Sequence, residues 1–165
     1  MHSRIFGITE KNFFDENQDN YAWNLHIFEC ETPGFADYCS LDTELDEDCD
    51  WLVGVLKHDT DKALVDYNPT DHTIKFKPGF KELYFKPKWE KLLKQVLGNP
   101  DAFDQFCGNA KHSNDIMYDV KKCIDEEFGF YVADDYGSYE TFDSFVRRID
   151  YDETYVIYAS VDYHY

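Results

Sequence analysis

The chain has 165 residues, a formal net charge of −18 and an aromatic content of 18%. This length suits one domain with a sizeable core, and so many aromatic residues exclude the composition of an acidic disordered chain. No stretch approaches the roughly 20 apolar residues of a membrane span, and the N-terminus lacks a signal-peptide pattern, so we expect a soluble, cytoplasmic protein. Its 5 cysteines form no Cys-x-x-Cys pair, which argues against a disulfide framework.

The first predicted element is a strand, because Trp23, Leu25 and Ile27 recur at period two. From Ser40 onward the apolar period becomes that of a helix, and Ser40 itself suits the N-cap position. We therefore predict a helix that begins at Ser40. Its inward face is predicted to hold Leu41, Leu45, Cys49, Leu52 and Leu56.

Six carboxylates stand within nine residues of this predicted helix. Three of them recur at i, i+4 and i+8 on the face away from the leucines, one flanks that row, and two lie nearer the apolar edge. Like-charge pairs at this spacing each destabilise a helix by a few tenths of a kcal/mol, so helix propensity does not explain the run. The row is Asp42, Asp46 and Asp50, the flanking residue is Glu47, and the two edge residues are Glu44 and Asp48.

A hairpin and a basic helix are predicted next. Residues 62–67 and 72–77 form two strand patterns around the turn sequence Asn68-Pro69-Thr70-Asp71. Pro87 suits the first position of a helix that ends at Gly98. The segment 74–94 holds 7 basic and 2 acidic residues, in contrast to the acidic remainder. The inward face of its helix is predicted to hold Trp89, Leu92, Leu93, Val96 and Leu97.

The last third mixes helices and strands without a regular βαβ rhythm. Its predicted elements, in chain order, are a short helix after Asn99-Pro100, a helix from Ser113 or Asn114 through Phe128, a short strand at 130–132, a helix capped by Ser138, and a strand at 154–161. This pattern predicts one α+β domain over residues 1–165, mainly an antiparallel sheet with about five helices packed against it.

Local motifs indicate no catalytic, cofactor-binding or metal-ligating residue. Two acidic segments begin like EF-hand calcium loops, but position 12 is His26 in one and Val53 in the other, where a bidentate Glu is needed. The histidines and cysteines lack zinc-site spacing. No Gly-rich phosphate loop, Gly-x-Ser-x-Gly or His-Glu-x-x-His sequence occurs. We therefore expect no metal and no cofactor.

The charge pattern limits the possible partners. The basic segment could contact phosphates, but the field of a chain this acidic repels a polyanion, so we expect neither direct nucleic-acid binding nor a membrane partner. An acid-to-base contact between two copies would give a homodimer, which the sequence permits.

The acidic run predicts a non-enzymatic protein that binds a basic protein surface through Asp42, Glu44, Asp46, Glu47, Asp48 and Asp50. A helix rises about 1.5 Å per residue and duplex DNA carries one charge per roughly 1.7 Å, so the run could mimic DNA and inhibit a nuclease or defence system, as anti-restriction or anti-CRISPR proteins do.

Three alternatives remain open at this stage. One is an immunity protein or antitoxin against a basic toxin, and another is a structural or assembly subunit. The third is a small enzyme or ligand-binding domain whose site is assembled from residues distant in sequence. A concave pocket that contains a Cys, His or carboxylate with a shifted pKa would favour the enzyme, whereas a convex acidic ridge would favour the binding protein.

Overall fold

Seven strands form one mixed sheet in a computed structural model that describes residues 2–18, 38–40, 44–108, 116–124, 130–133 and 139–164. The strands are β1 (His2–Glu10), β2 (Tyr38–Ser40), β3 (Val65–Asn68), β4 (Thr73–Phe76), β5 (Tyr131–Ala133), β6 (Tyr139–Thr141) and β7 (Tyr155–His164). The described helices are α1 (Lys11–Glu16), α2 (Leu45–Asp59), α3 (Phe80–Leu97), α4 (Ala102–Phe106), α5 (Ile116–Ile124) and α6 (Phe142–Arg148).

The strand order confirms the predicted α+β class. Along the sheet the strands follow β3-β4-β7-β1-β5-β6, and β2 pairs with the C-terminal end of β7. The β1–β5 pair is parallel, and every other pair is antiparallel. The central strand β1 corresponds to no predicted element.

Two hydrophobic cores lie on opposite faces of the sheet. Phe6, Phe76 and Ile157 belong to the larger core, which also holds the inward faces of α2 and α6. Ile5 and Val161 belong to the smaller one. Because neighbouring residues of a strand point to opposite faces, β1 contributes to both cores and is buried on both sides.

Because of a β-bulge, β7 contributes apolar side chains to both cores. Gly7 of β1 pairs with Ala159, but the next residue, Ile8, pairs with Ile157, so Tyr158 is an extra residue in β7. The extra residue shifts the alternation by one. The odd-numbered apolar positions of β7 therefore face the larger core before the bulge, as Ile157 does, and the smaller core after it, as Val161 does.

Gly7 leaves room for the side chain of this extra residue. A Cβ atom at position 7 would lie 2.5 Å from the Cζ atom of Tyr158, whose ring stacks on Phe14 at 5.9 Å between centroids. We expect Gly7→Ala to destabilise the protein by about 1–3 kcal/mol, because the ring must move. The matched control is Gly54→Ala in α2, where nothing lies within 4 Å; we expect it to stabilise by up to about 1 kcal/mol. Urea unfolding compares the two, and equal effects of the two variants would contradict this prediction.

The predicted hairpin is confirmed. Val65 pairs with Phe76 and Asn68 pairs with Thr73, so β3 and β4 are antiparallel neighbours around the expected turn. The first three residues of the predicted strand, Lys62–Leu64, instead form a 3-10 turn.

The predicted start of α2 is wrong. Ser40 lies in β2, where it pairs with Asp162 of β7, so tertiary pairing holds its backbone extended. The helix begins at Leu45. Its inward face agrees with the prediction for the described residues, since Cys49, Leu52 and Leu56 are buried and Leu45 is half-buried.

The predicted start and inward face of α3 are also wrong. The helix begins at Phe80, directly after Gly79, whose φ of 97° favours glycine, and Pro87 lies inside it. Phe80 is fully buried and packs edge-on against Phe76, with 4.8 Å between ring centroids. This anchor sets the rotation of the helix. The predicted apolar face therefore points largely outward, and its exposed members are Trp89 (58% exposed), Leu93, Val96 and Leu97 (78% exposed).

The C-terminal elements agree with the prediction in kind. α6 begins after Thr141, whose hydroxyl accepts a hydrogen bond from the Ser144 N–H at 3.2 Å, and Tyr139 lies in a strand. The predicted start near Ser138 is therefore three residues too early. Phe145 and Val146 are buried as expected.

The predictions that fall outside the described residues concern Trp23, Leu25, Ile27, Leu41, Asp42, Ser113, Asn114, Phe128 and Ser138. No described helix is long and apolar enough to cross a membrane.

Candidate functional site: the acidic helix and its groove

Four of the six predicted carboxylates lie exposed at the N-terminal end of α2. Glu44 immediately precedes the helix, and Asp46, Glu47 and Asp50 point to solvent from its first turns. We call these four residues the acidic face. Asp42 lies outside the described residues. The helix presents these carboxylates to solvent because Cys49 and the leucines take the opposite side into the core.

Asp48 is only 8% exposed and has a partner within the protein. Its Oδ1 accepts a hydrogen bond from the Arg4 Nε at 3.0 Å, and Arg4 Nη1 also donates to Asp162 Oδ1 at 2.7 Å. Arg4 thus connects α2 to the sheet strands β1 and β7. Among the described residues, no donor reaches the buried Oδ2 of Asp48. This carboxylate therefore fixes the position of the helix and is not part of the acidic face.

An open groove of about 500 Å³ runs beside the acidic face. Trp51 on its wall is 45% exposed, and its indole meets the Phe130 ring edge-on, with 4.8 Å between centroids. The lining residues are Ser3, Arg4, Glu47, Asp48, Trp51 and Phe130. The groove thus combines an aromatic surface with carboxylates. The sequence alone did not indicate Trp51 as a site residue, because its partner Phe130 is 79 positions away.

A row of polar contacts connects the acidic face to the core. Asp46 Oδ1 lies 3.2 Å from His72 Nε2, and His72 Nδ1 lies 3.1 Å from the Tyr67 hydroxyl. Tyr67 in turn hydrogen-bonds the Cys49 thiol. The hairpin turn brings His72 to α2, which no local spacing could indicate.

Burial raises the pKa of the Cys49 thiol from 9.0 to about 11, against the opposing effect of the Tyr67 hydrogen bond. Burial also raises the pKa of Tyr67 and that of Tyr155. These groups are therefore protonated at neutral pH, and Cys49 is not an activated nucleophile. The stability that protonated Cys49 contributes is complete below pH 9.0 and is lost as the pH rises toward 11.

We expect Cys49 to resist alkylation in the folded protein. At pH 8 a thiol with a pKa of about 11 is roughly 0.1% thiolate, and Cys49 is fully buried, whereas Cys107 is exposed. Iodoacetamide labelling followed by peptide mass spectrometry should show modification of Cys107 at least about 100-fold faster. In guanidinium chloride both cysteines should react. Similar rates in the folded protein would mean that the region around Cys49 opens readily.

A second cavity, of about 270 Å³, lies between α2, α3 and α6. Asp143 on its wall has a side chain that is only 1% exposed, and its Oδ1 accepts hydrogen bonds from Lys88 Nζ at 2.5 Å and from the Tyr84 hydroxyl at 2.8 Å. The Lys88 ammonium also lies 4.9 Å from the centre of the Tyr84 ring. Lys88, one of the basic residues of the segment 74–94, is therefore the counter-ion of a buried carboxylate.

No described Cys or His residue lines either of these two cavities, and this includes Cys49 and His72. Within the described ranges, no three His, Cys, Asp or Glu side chains come together as a metal-ligand set. Comparisons with protein-family models, with curated proteins and with solved structures find no match to this chain.

Proposed function

We propose that this protein is a non-enzymatic binding protein that engages a basic surface of a partner protein through its acidic face. The observation that carries the proposal is the set of four exposed carboxylates, Glu44, Asp46, Glu47 and Asp50, next to the half-exposed Trp51. A carboxylate ridge with an aromatic neighbour suits a surface rich in Arg and Lys, because the charges steer the encounter and the ring supplies contact area.

The acidic face lies on a helix that is anchored in the core, and most of its carboxylates have no cationic partner among the described residues. In the described structure no Lys or Arg pairs with Glu44, Glu47 or Asp50. The buried side of α2 and the Arg4–Asp48 ion pair keep the helix in place. Such preorganisation favours binding, since little conformational entropy is lost when the partner arrives.

The groups whose pKa values are raised lie away from the two cavities, which supports a binding protein over an enzyme. The groups with raised pKa values are Cys49, Tyr67 and Tyr155, and none of them lines either cavity. They are core groups that burial keeps protonated, whereas an active site needs such a group at a surface that substrate can reach.

The partner that we propose is a nucleic-acid-binding protein such as a nuclease or a component of a defence system, with the acidic face occupying its DNA-binding surface. The rise of about 1.5 Å per residue along α2 spaces the carboxylates on the scale of phosphate charges in duplex DNA. An inhibitor of anti-restriction or anti-CRISPR type would act in this way, and so would an immunity protein or antitoxin that blocks a basic toxin.

Capture from a host lysate tests the location of the binding surface. The bait is the wild type, the variant Asp46→Asn/Glu47→Gln/Asp50→Asn, or the control Glu90→Gln/Asp101→Asn/Asp104→Asn, which removes the same charge from exposed positions of α3 and the start of α4. We expect wild type and control to capture the same basic protein at low salt, and the first variant to lose it. Equal capture by all three baits would exclude the acidic face as the binding surface.

An assembly role is a second candidate, favoured by the exposed apolar side chains of α3 and α4. Trp89, Leu97, Phe103 and Phe106 are each more than half exposed, and the lysines of α3 beside them complement the acidic face of another copy. Exposed apolar patches of this kind mark interaction surfaces. Sedimentation velocity over a range of concentrations tests for a homodimer, which Leu97→Ser and Phe103→Ser should weaken; a wild type that stays monomeric would exclude it.

A further inference from the structure

We propose that the groove beside the acidic face binds the guanidinium group of one arginine side chain of the partner, with the indole of Trp51 stacked on it and the carboxylate of Glu47 paired with it. This inference rests on the proposed function, which requires a basic partner but does not specify which basic side chain enters the groove. The groove, with its volume of about 500 Å³, has room for such a side chain.

Glu47 and Trp51 are placed to act on the same group. They are four residues apart in α2, so they lie about one turn apart on the same face of the helix, at a rise of about 6 Å. Both line the groove. The edge-on contact with Phe130 limits the rotation of the Trp51 indole and leaves 45% of the residue exposed. A carboxylate and an aromatic surface thus border the same space.

A buried carboxylate also belongs to the groove lining. Asp48 lines it, is only 8% exposed, and its Oδ2 has no donor among the described residues. A buried carboxylate oxygen without a donor is costly, and a ligand that supplies an N–H would remove that cost. A guanidinium has five N–H donors in a planar fork, so one group can serve Glu47 and reach toward Asp48 while it stacks on a ring.

Arg4 does not make the groove repulsive to a cation. Its guanidinium is held by two carboxylates, Asp48 at 3.0 Å and Asp162 at 2.7 Å, which balance its charge locally. The exposed carboxylates of the acidic face then dominate the field at the entrance. Arginine is preferred to lysine here because its flat, weakly hydrated group stacks on indole, whereas an ammonium group keeps more of its water.

Fluorescence of Trp51 provides a direct test. The chain has 3 tryptophans, so Trp23→Phe/Trp89→Phe leaves Trp51 as the sole reporter. The probes are three peptides of alternating glycine with arginine, lysine or citrulline, titrated at low salt. We expect the arginine peptide to change the emission saturably and to bind about 2–5-fold more tightly than the lysine peptide, and the neutral citrulline peptide to give no saturable change.

Variants in the wild-type background provide the second measurement, by calorimetry with the arginine peptide, so the test does not depend on the folding of the double tryptophan variant. We expect Glu47→Gln and Trp51→Leu each to weaken binding by at least threefold. Glu90→Gln, which removes the same charge from α3, should change the affinity by less than about 1.5-fold. Circular dichroism checks that each variant is folded.

The outcomes separate this inference from the proposed function. Equal binding of the arginine and lysine peptides, or equal effects of Glu47→Gln and Glu90→Gln, would overturn the arginine site even if the acidic face captures a basic protein from lysate. Preferential arginine binding that depends on Trp51 and Glu47 would support the site even if capture from lysate did not depend on the acidic face.

Discussion

Lys88→Met should lower the free energy of unfolding by about 3–5 kcal/mol, because it removes the counter-ion of a carboxylate that is almost fully buried. Asp143 would keep the Tyr84 hydroxyl as its sole described donor. The cost comes from the charge that stays behind without a partner, since the net value of an intact buried ion pair is small. Urea unfolding followed by circular dichroism measures the change.

Two further variants test whether the loss of stability comes from the buried ion pair. Lys86→Met removes an exposed lysine from the same helix and should change stability by less than about 0.5 kcal/mol. The double variant Lys88→Met/Asp143→Leu should recover most of the loss, because both charges are gone and the site is apolar. If Lys88→Met were no more destabilising than Lys86→Met, the ion pair would have no structural role, and Lys88 would return to the set of surface cations.

Asp46→Lys/Asp50→Lys should slow association with the captured partner by about 10–100-fold at low salt. Both side chains are exposed, so the reversal changes the field of the acidic face without creating a cavity. The effect should shrink as ionic strength rises, because salt screens charges separated by more than about 10 Å at 0.1 M. Stopped-flow or surface-binding kinetics at several salt concentrations give the rate constants.

The matched control for this reversal is Asp101→Lys/Asp104→Lys, which changes the net charge equally at exposed positions elsewhere. It should slow association far less than the reversal on α2. Asp46 also contacts His72 at 3.2 Å, so thermal unfolding should be compared for the two variants. Equal slowing by both would mean that only the total charge matters and that the partner does not contact α2.

Sequence patterns predicted the elements whose packing depends on their own periodicity. The inward positions of α2 and the pairing of β3 with β4 are examples, because a 3.6-residue period and a short turn between two strand patterns each specify the local structure. The exposure of Asp46, Glu47 and Asp50 followed from the same period, since the opposite side of α2 is apolar.

Features that depend on contacts between distant residues could not be predicted in this way. The outward rotation of the apolar side of α3 follows from the burial of Phe80 against Phe76, which the pattern of residues 87–97 does not contain. The contact of Asp48 with Arg4 spans 44 positions, and Tyr67 reaches Cys49 only because the hairpin lies on α2. Trp51 likewise belongs to the candidate site because it packs against Phe130, which is distant in sequence.

The extra residue in β7 has a consequence for how the sequence can vary in length. Removing Tyr158 would restore regular pairing with β1, and the half of the strand on one side of the deletion would then turn over, exchanging the side chains that face the larger core with those that face the other side of the sheet. Substitutions at this position change one side chain, whereas a deletion reassigns a whole row of them. Related chains should therefore conserve the number of residues between Tyr155 and Val161 more strictly than the identity of the residue at the bulge.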